Sequence, residues 1–132
     1  MSAPTKGQIR QMASLSRLTG MALDSRLASL RKISHARDAT NAALAALNAP
    51  RPEPEGDIAL SALARSNLLY DQWAERQRRE LNLKLARQTA EWMEQRAVAA
   101  TAFGRNEVLN QLTDDMRVIL AKRPPVWGKA GR

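Results

Sequence analysis

Apolar residues recur along this chain at spacings of three and four, the signature of a helix with one buried stripe. In the first half they are Ile9, Met12, Leu15, Leu18, Leu23, Leu27, Leu30, Ile33, Leu44 and Leu47. Arg37 and Thr40 interrupt this stripe before "AALAAL" restores it. The second half is more regular. Leu81, Leu85, Gln88, Trp92, Gln95, Ala99, Ala102, Asn106, Leu109, Thr113, Met116 and Leu120 alternate steps of four and three, which is a heptad seam. Polar residues in such a seam weaken packing but fix register. No strand-like alternation is present.

Proline divides the two halves. Pro4, Pro50, Pro52, Pro54, Pro124 and Pro125 leave 5–49 and 55–123 free of proline. Because proline inside a helix costs about 3 kcal/mol, the stretch "NAPRPEPEGD" reads as a linker. Asn48 ends the helix before it, and Asp57 is placed to N-cap the helix after it. The expected fold is all-α: a single domain forming a long antiparallel two-helix coiled-coil hairpin with unequal arms. The expected segments are helix 8–48, a Pro-rich linker 49–56, helix 57–121 and a basic tail 122–132. The arms then measure roughly 60 and 98 Å.

A turn centred on the linker pairs positions whose numbers sum to about 106. Trp73 then faces Ile33, and Trp92 faces Leu15. Residues beyond about 99 outrun the first helix, so 105–121 is expected either as an exposed apolar overhang or as covered by a third helix folded back at Gly104. Such an overhang asks for a partner.

Composition narrows the chemistry. Of 132 residues only five are Phe, Tyr or Trp, and none is cysteine. Disulfides, thiolate catalysis and Cys-bound zinc are therefore excluded. His35 is the single histidine, with only Asp38 near it at helical spacing. Asp114 and Asp115 are adjacent and diverge on a helix, so they do not form an acid–base pair. "GKAGR" lacks the spacing of a phosphate-binding loop. No enzyme, metal or cofactor is expected. No apolar run approaches the roughly 20 residues of a membrane span.

The net charge of +8 is concentrated at the two ends of the chain. Such ends suit nucleic acid, anionic lipid or an acidic protein surface. The most basic short motif is RQRR in "YDQWAERQRREL", residues 70–81. Yet Asp71, Glu75 and Glu80 balance Arg76, Arg78 and Arg79. Phosphate tracking needs an uncompensated stripe, so a basic nucleic-acid-binding or phage-scaffold adaptor is the alternative reading. Tyr70 and Trp73, three apart on one helical face, with Leu69 beside them, favour a protein-docking surface.

Three segments carry a family resemblance: "LTGMALDSRLASLRKISHARDATNAALAAL", "YDQW" and "WMEQRAVAATAFGRNEVLNQL", followed by the basic finish "MRVILAKRPP". Over residues 9–123 the layout resembles the FliJ/YscO family of type III export proteins, flagellar or injectisome. The departures are a short chain, a first arm poor in Gln and Glu, and a Pro-rich linker in place of a longer turn. The resemblance implies a non-enzymatic, cytoplasmic hairpin similar to the central coiled coil of the rotary ATPase gamma subunit. It implies a stalk and chaperone escort between a hexameric export ATPase and an export-gate protein, held at the inner membrane through those partners. Leu69, Tyr70 and Trp73 fall on the gate-like face. Leu109, Leu112, Met116 and Ile119 fall at the ATPase-like end.

Overall fold

The computed structural model describes residues 3–53, 56 and 59–122. Two helices account for nearly all of them: α1, Lys6–Asn48, and α2, Leu60–Lys122, with no strand among the described residues. The chain is an all-α helical hairpin with arms of 43 and 63 residues. The expected N-cap Asp57 and the tail beyond residue 122 lie outside the described residues.

Local chemistry sets the helix ends. Thr5 and Gln8 form a capping box. The Thr5 amide donates to Gln8 Oε1 at 2.9 Å, and the Gln8 amide donates to Thr5 Oγ1 at 3.1 Å. Two amides that the first turn leaves unpaired are thereby satisfied. α1 ends at Asn48, where the Ala49 amide closes a tight turn on the Ala46 carbonyl at 3.4 Å and Pro50 follows. Lys122 in the last turn of α2 faces the negative end of the helix dipole.

The chain forms two compact units, Met1–Ser29 with Gln95–Arg132, and Leu30–Glu94. In each, a stretch of α1 runs antiparallel to a stretch of α2. The seam of α2 is the one the heptad spacing predicts: all twelve positions from Leu81 to Leu120 are buried or half-buried. Buried apolar residues are few and mostly small, namely Ile9, Ala74 and Ala99 among the described residues. Alanine at such positions lets two helices approach closely.

The pairing differs from the expected one. In the linker-side unit, Arg78 donates to Asn48 Oδ1 at 3.0 Å and Gln88 Nε2 to the Ala36 carbonyl at 3.3 Å. Arg37 lies over the Trp92 ring, 4.9 Å from its centroid. In the terminal unit, Asn106 reaches Ser16 and Thr19. Contacting positions sum to about 125 rather than 106, a shift of roughly five helical turns. The cause is the linker. Arg51, three residues past the end of α1, already lies beside the first turns of α2, where it donates to Asn67 Oδ1 at 3.1 Å.

Three corrections follow. Trp73 does not pack on Ile33; it is 44% exposed and lies beyond the end of α1. Trp92 has Arg37 as a partner in place of Leu15. Residues 105–121 are neither an overhang nor covered by a third helix. α2 continues unbroken through Gly104, and the first turns of α1 cover this stretch: a groove shared with Met12 and Leu15 includes Met116 and Ile119.

The first-arm stripe is also corrected. Leu15 and Leu18 face solvent, while Ser16 and Thr19 turn inward. Asn106 Nδ2 donates to the Ser16 carbonyl and to Thr19 Oγ1, each at 2.9 Å, and Asn110 donates to Asn106 Oδ1 at 3.2 Å. Ser16 Oγ also hydrogen-bonds Asn110 Oδ1. Polar groups on both helices thus satisfy one another across the seam. Thr40 and Thr113, each only 3% exposed, use a second device. Their hydroxyls donate to the carbonyls of Ala36 and Leu109 at 3.1 and 2.7 Å. Bonded to its own helix, each threonine packs as though it were apolar.

Candidate docking surface

The linker and the first turns of α2 build the most distinctive surface cluster. The guanidinium carbon of Arg51 lies 3.9 Å from the centroid of the Tyr70 ring. Asn67, one turn before Tyr70, accepts from the same guanidinium and fixes its orientation. Tyr70 meets Trp73 with ring centroids 5.6 Å apart and planes tilted by 45°. A cation–π stack and a tilted aromatic pair therefore share one ring. Leu69, 58% exposed, lies four residues before Trp73 on the same helical face.

The rest of "YDQWAERQRREL" performs structural work. Arg78 is half-buried and contacts Asn48 Oδ1 and, at 3.5 Å, the Leu47 carbonyl, so it caps the C-terminus of α1. Glu75 lies 3.4 Å from Arg78 and 3.8 Å from Arg79. Arg78 and Arg79 are thus spent on a helix cap and on pairing with Glu75 rather than left as an uncompensated stripe.

The site residues predicted from sequence separate into two regions. Leu69 and Trp73 are exposed, and Tyr70 is half-buried beneath Arg51. In the terminal unit, Leu109 and Met116 are half-buried in the seam, whereas Leu112 and Ile119 are 45% and 51% exposed. Arg51 and Asn67 had no place in the sequence reading. The available signal was an arginine between two prolines, which hold the linker extended beside α2. Farther along α2, Arg37 Nε and Gln88 Oε1 are buried without hydrogen-bond partners. One is a donor and the other an acceptor.

Among the described residues, no cluster of three or more His, Cys, Asp or Glu side chains is placed to hold a metal ion. No described helix is long and apolar enough to cross a membrane. Comparison with family models, curated proteins and solved structures finds no match.

Proposed function

We propose that this chain is a non-enzymatic coiled-coil component of a type III protein export apparatus, a stalk and chaperone escort working between the export ATPase ring and the export gate. The observation that carries the reading is the Leu69–Trp73 face. Two large apolar side chains stand in solvent on a rigid helix, and the Arg51–Tyr70 stack orders their base. Tyr, Trp and Arg are the residues that most often dominate protein interfaces. An ordered aromatic surface also loses little entropy on binding. In the FliJ/YscO resemblance this face meets the gate protein, and Leu109, Leu112, Met116 and Ile119 belong to the ATPase-like end. The correction to 105–121 narrows the outward contacts there to Leu112 and Ile119. The location that accompanies this role is cytoplasmic and peripheral to the inner membrane.

The test uses purified export ATPase and the cytoplasmic domain of a gate protein. Both should bind the wild-type chain. Leu69→Asp with Trp73→Ala should remove gate binding and leave helicity intact. Failure of the wild-type chain to bind either protein would refute the export role.

A further inference from the structure

The terminal unit has two dissimilar flanks. On one, Met12, Leu15, Thr19, Ala22 and Arg26 follow one another along α1 at steps of three and four. Beside them on α2 run Val98, Thr101, Arg105, Leu112, Met116 and Ile119, at spacings that keep one face. Two grooves lie along this flank, one between Met12–Leu15 and Met116–Ile119, the other between Thr19–Arg26 and Val98–Arg105. Leu15, Leu112 and Ile119 stand about half in solvent. Neither groove is lined by a carboxylate, and Arg26 and Arg105 have no ion-pair partner among the described residues. The opposite flank contains Asp24, Glu107 and Asp114 alongside Arg17 and Arg117, with Arg117 already 3.6 Å from Asp114.

We propose that the first flank is a docking groove for one amphipathic, acidic helix of another protein. Charge selects the occupant. Two unpaired guanidiniums at the rim of an apolar groove match carboxylates on either side of an apolar stripe. A second copy of this chain is disfavoured, because it would bring a +8 molecule against another of the same charge. Shape argues against a lipid surface. A groove between two helices accepts a cylinder, whereas a flat bilayer would touch only the ridges. From Val98 to Ile119 the two grooves together span about 32 Å of α2, the length of roughly 21 helical residues. The inference stands on the terminal unit alone and does not depend on the export reading.

The probe is a labelled 21-residue designed helix with leucines at i, i+3, i+4 and i+7 and glutamates flanking them. Its twin carries lysines in place of the glutamates. By fluorescence anisotropy the intact chain should bind the glutamate helix at least about tenfold more tightly than the lysine helix, and less tightly as salt rises. Arg26→Glu with Arg105→Glu should invert that preference, while Leu15→Asp with Ile119→Asp should abolish binding of both helices. All four side chains are exposed, so circular dichroism should be unchanged. Arg26→Gln with Arg105→Gln, which should reduce the preference, gives the same reading if charge reversal disturbs folding. Equal binding of the two helices, or no binding of the glutamate helix, overturns the proposal. So does co-sedimentation with phosphatidylserine vesicles that Leu15→Asp with Ile119→Asp removes, or a dimer in sedimentation equilibrium that the same variant dissolves.

Discussion

Asn106 is the position at which to test whether a polar seam holds this hairpin. Its Nδ2 donates to the Ser16 carbonyl and Thr19 Oγ1 across the helix pair, and its Oδ1 accepts from Asn110. Asn106→Ala removes two interhelical bonds. At a net 0.5–1.5 kcal/mol each, the loss should be about 1–3 kcal/mol. The Ser16 carbonyl is not stranded, since Thr19 Oγ1 already donates to it at 2.9 Å. That places the expected value near the middle of the range. For a chain of this size the thermal midpoint should fall by roughly 3–6 °C per kcal/mol, read by circular dichroism at 222 nm. Asn106→Leu separates stability from specificity. The leucine exchanges those bonds for apolar burial worth about 1.5–3 kcal/mol at most, so stability should change little. Register should loosen, because the position no longer has a single satisfied arrangement. With no native cysteine in the chain, a Ser16→Cys, Asn110→Cys pair reports register directly through its disulfide yield. An Asn106→Ala loss below about 0.5 kcal/mol, with unchanged crosslinking in Asn106→Leu, would refute the reasoning.

Other outcomes are expected from the same contacts. Trp92→Ala should cost about 2–3 kcal/mol in urea denaturation, less than a fully buried tryptophan, because the ring is only half-buried beneath Arg37. Trp73→Ala should cost less than about 1 kcal/mol in the same assay, since nearly half of the side chain already faces solvent and it lies beyond the end of α1. Thr5→Ala should destabilise by roughly 1 kcal/mol through loss of the capping box, with hydrogen exchange accelerating first at the start of α1.

The second arm was the more legible in the sequence. Its heptad positions, polar ones included, point inward as spacing alone predicts, because a long paired helix turns one stripe to its partner whatever that stripe's chemistry. In the first arm polarity is not a sign of exposure. Ser16 and Thr19 took places assigned to Leu15 and Leu18, since Asn106 and Asn110 opposite them supply partners that a single strip of sequence does not display. Thr40 is enclosed through a bond to its own helix, which hydropathy does not record. The pairing offset was hidden for another reason. A Pro-rich segment announces a break in helix but not the direction the chain takes afterwards. Arg51 meets Tyr70 and Asn67 rather than the turn before α2, and the five-turn shift accompanies that placement. The common face of Leu69 and Trp73 is legible from their spacing, but spacing also sets Trp73 against Ile33, and neither its exposure nor the arginine that orders the cluster shows in the sequence.

The sequence distances spanned by the hairpin contacts imply an order of assembly. Arg78 and Asn48 are 30 residues apart, Gln88 and Ala36 are 52, Asn106 and Thr19 are 87, and Ser16 and Asn110 are 94. Closing a loop of 87 rather than 30 residues costs about 1 kcal/mol more in chain entropy. Contacts near the linker therefore form first, and closure travels outward as a zipper toward the termini. On a ribosome, α1 is complete at Asn48 while its nearest interhelical partner, Arg78, is still 30 residues from being added. Until then its inward stripe has only solvent or a chaperone to meet. Ser16 and Thr19 find their partners after the leucines nearer the linker, and their hydroxyls make that wait less prone to aggregation than leucines there would.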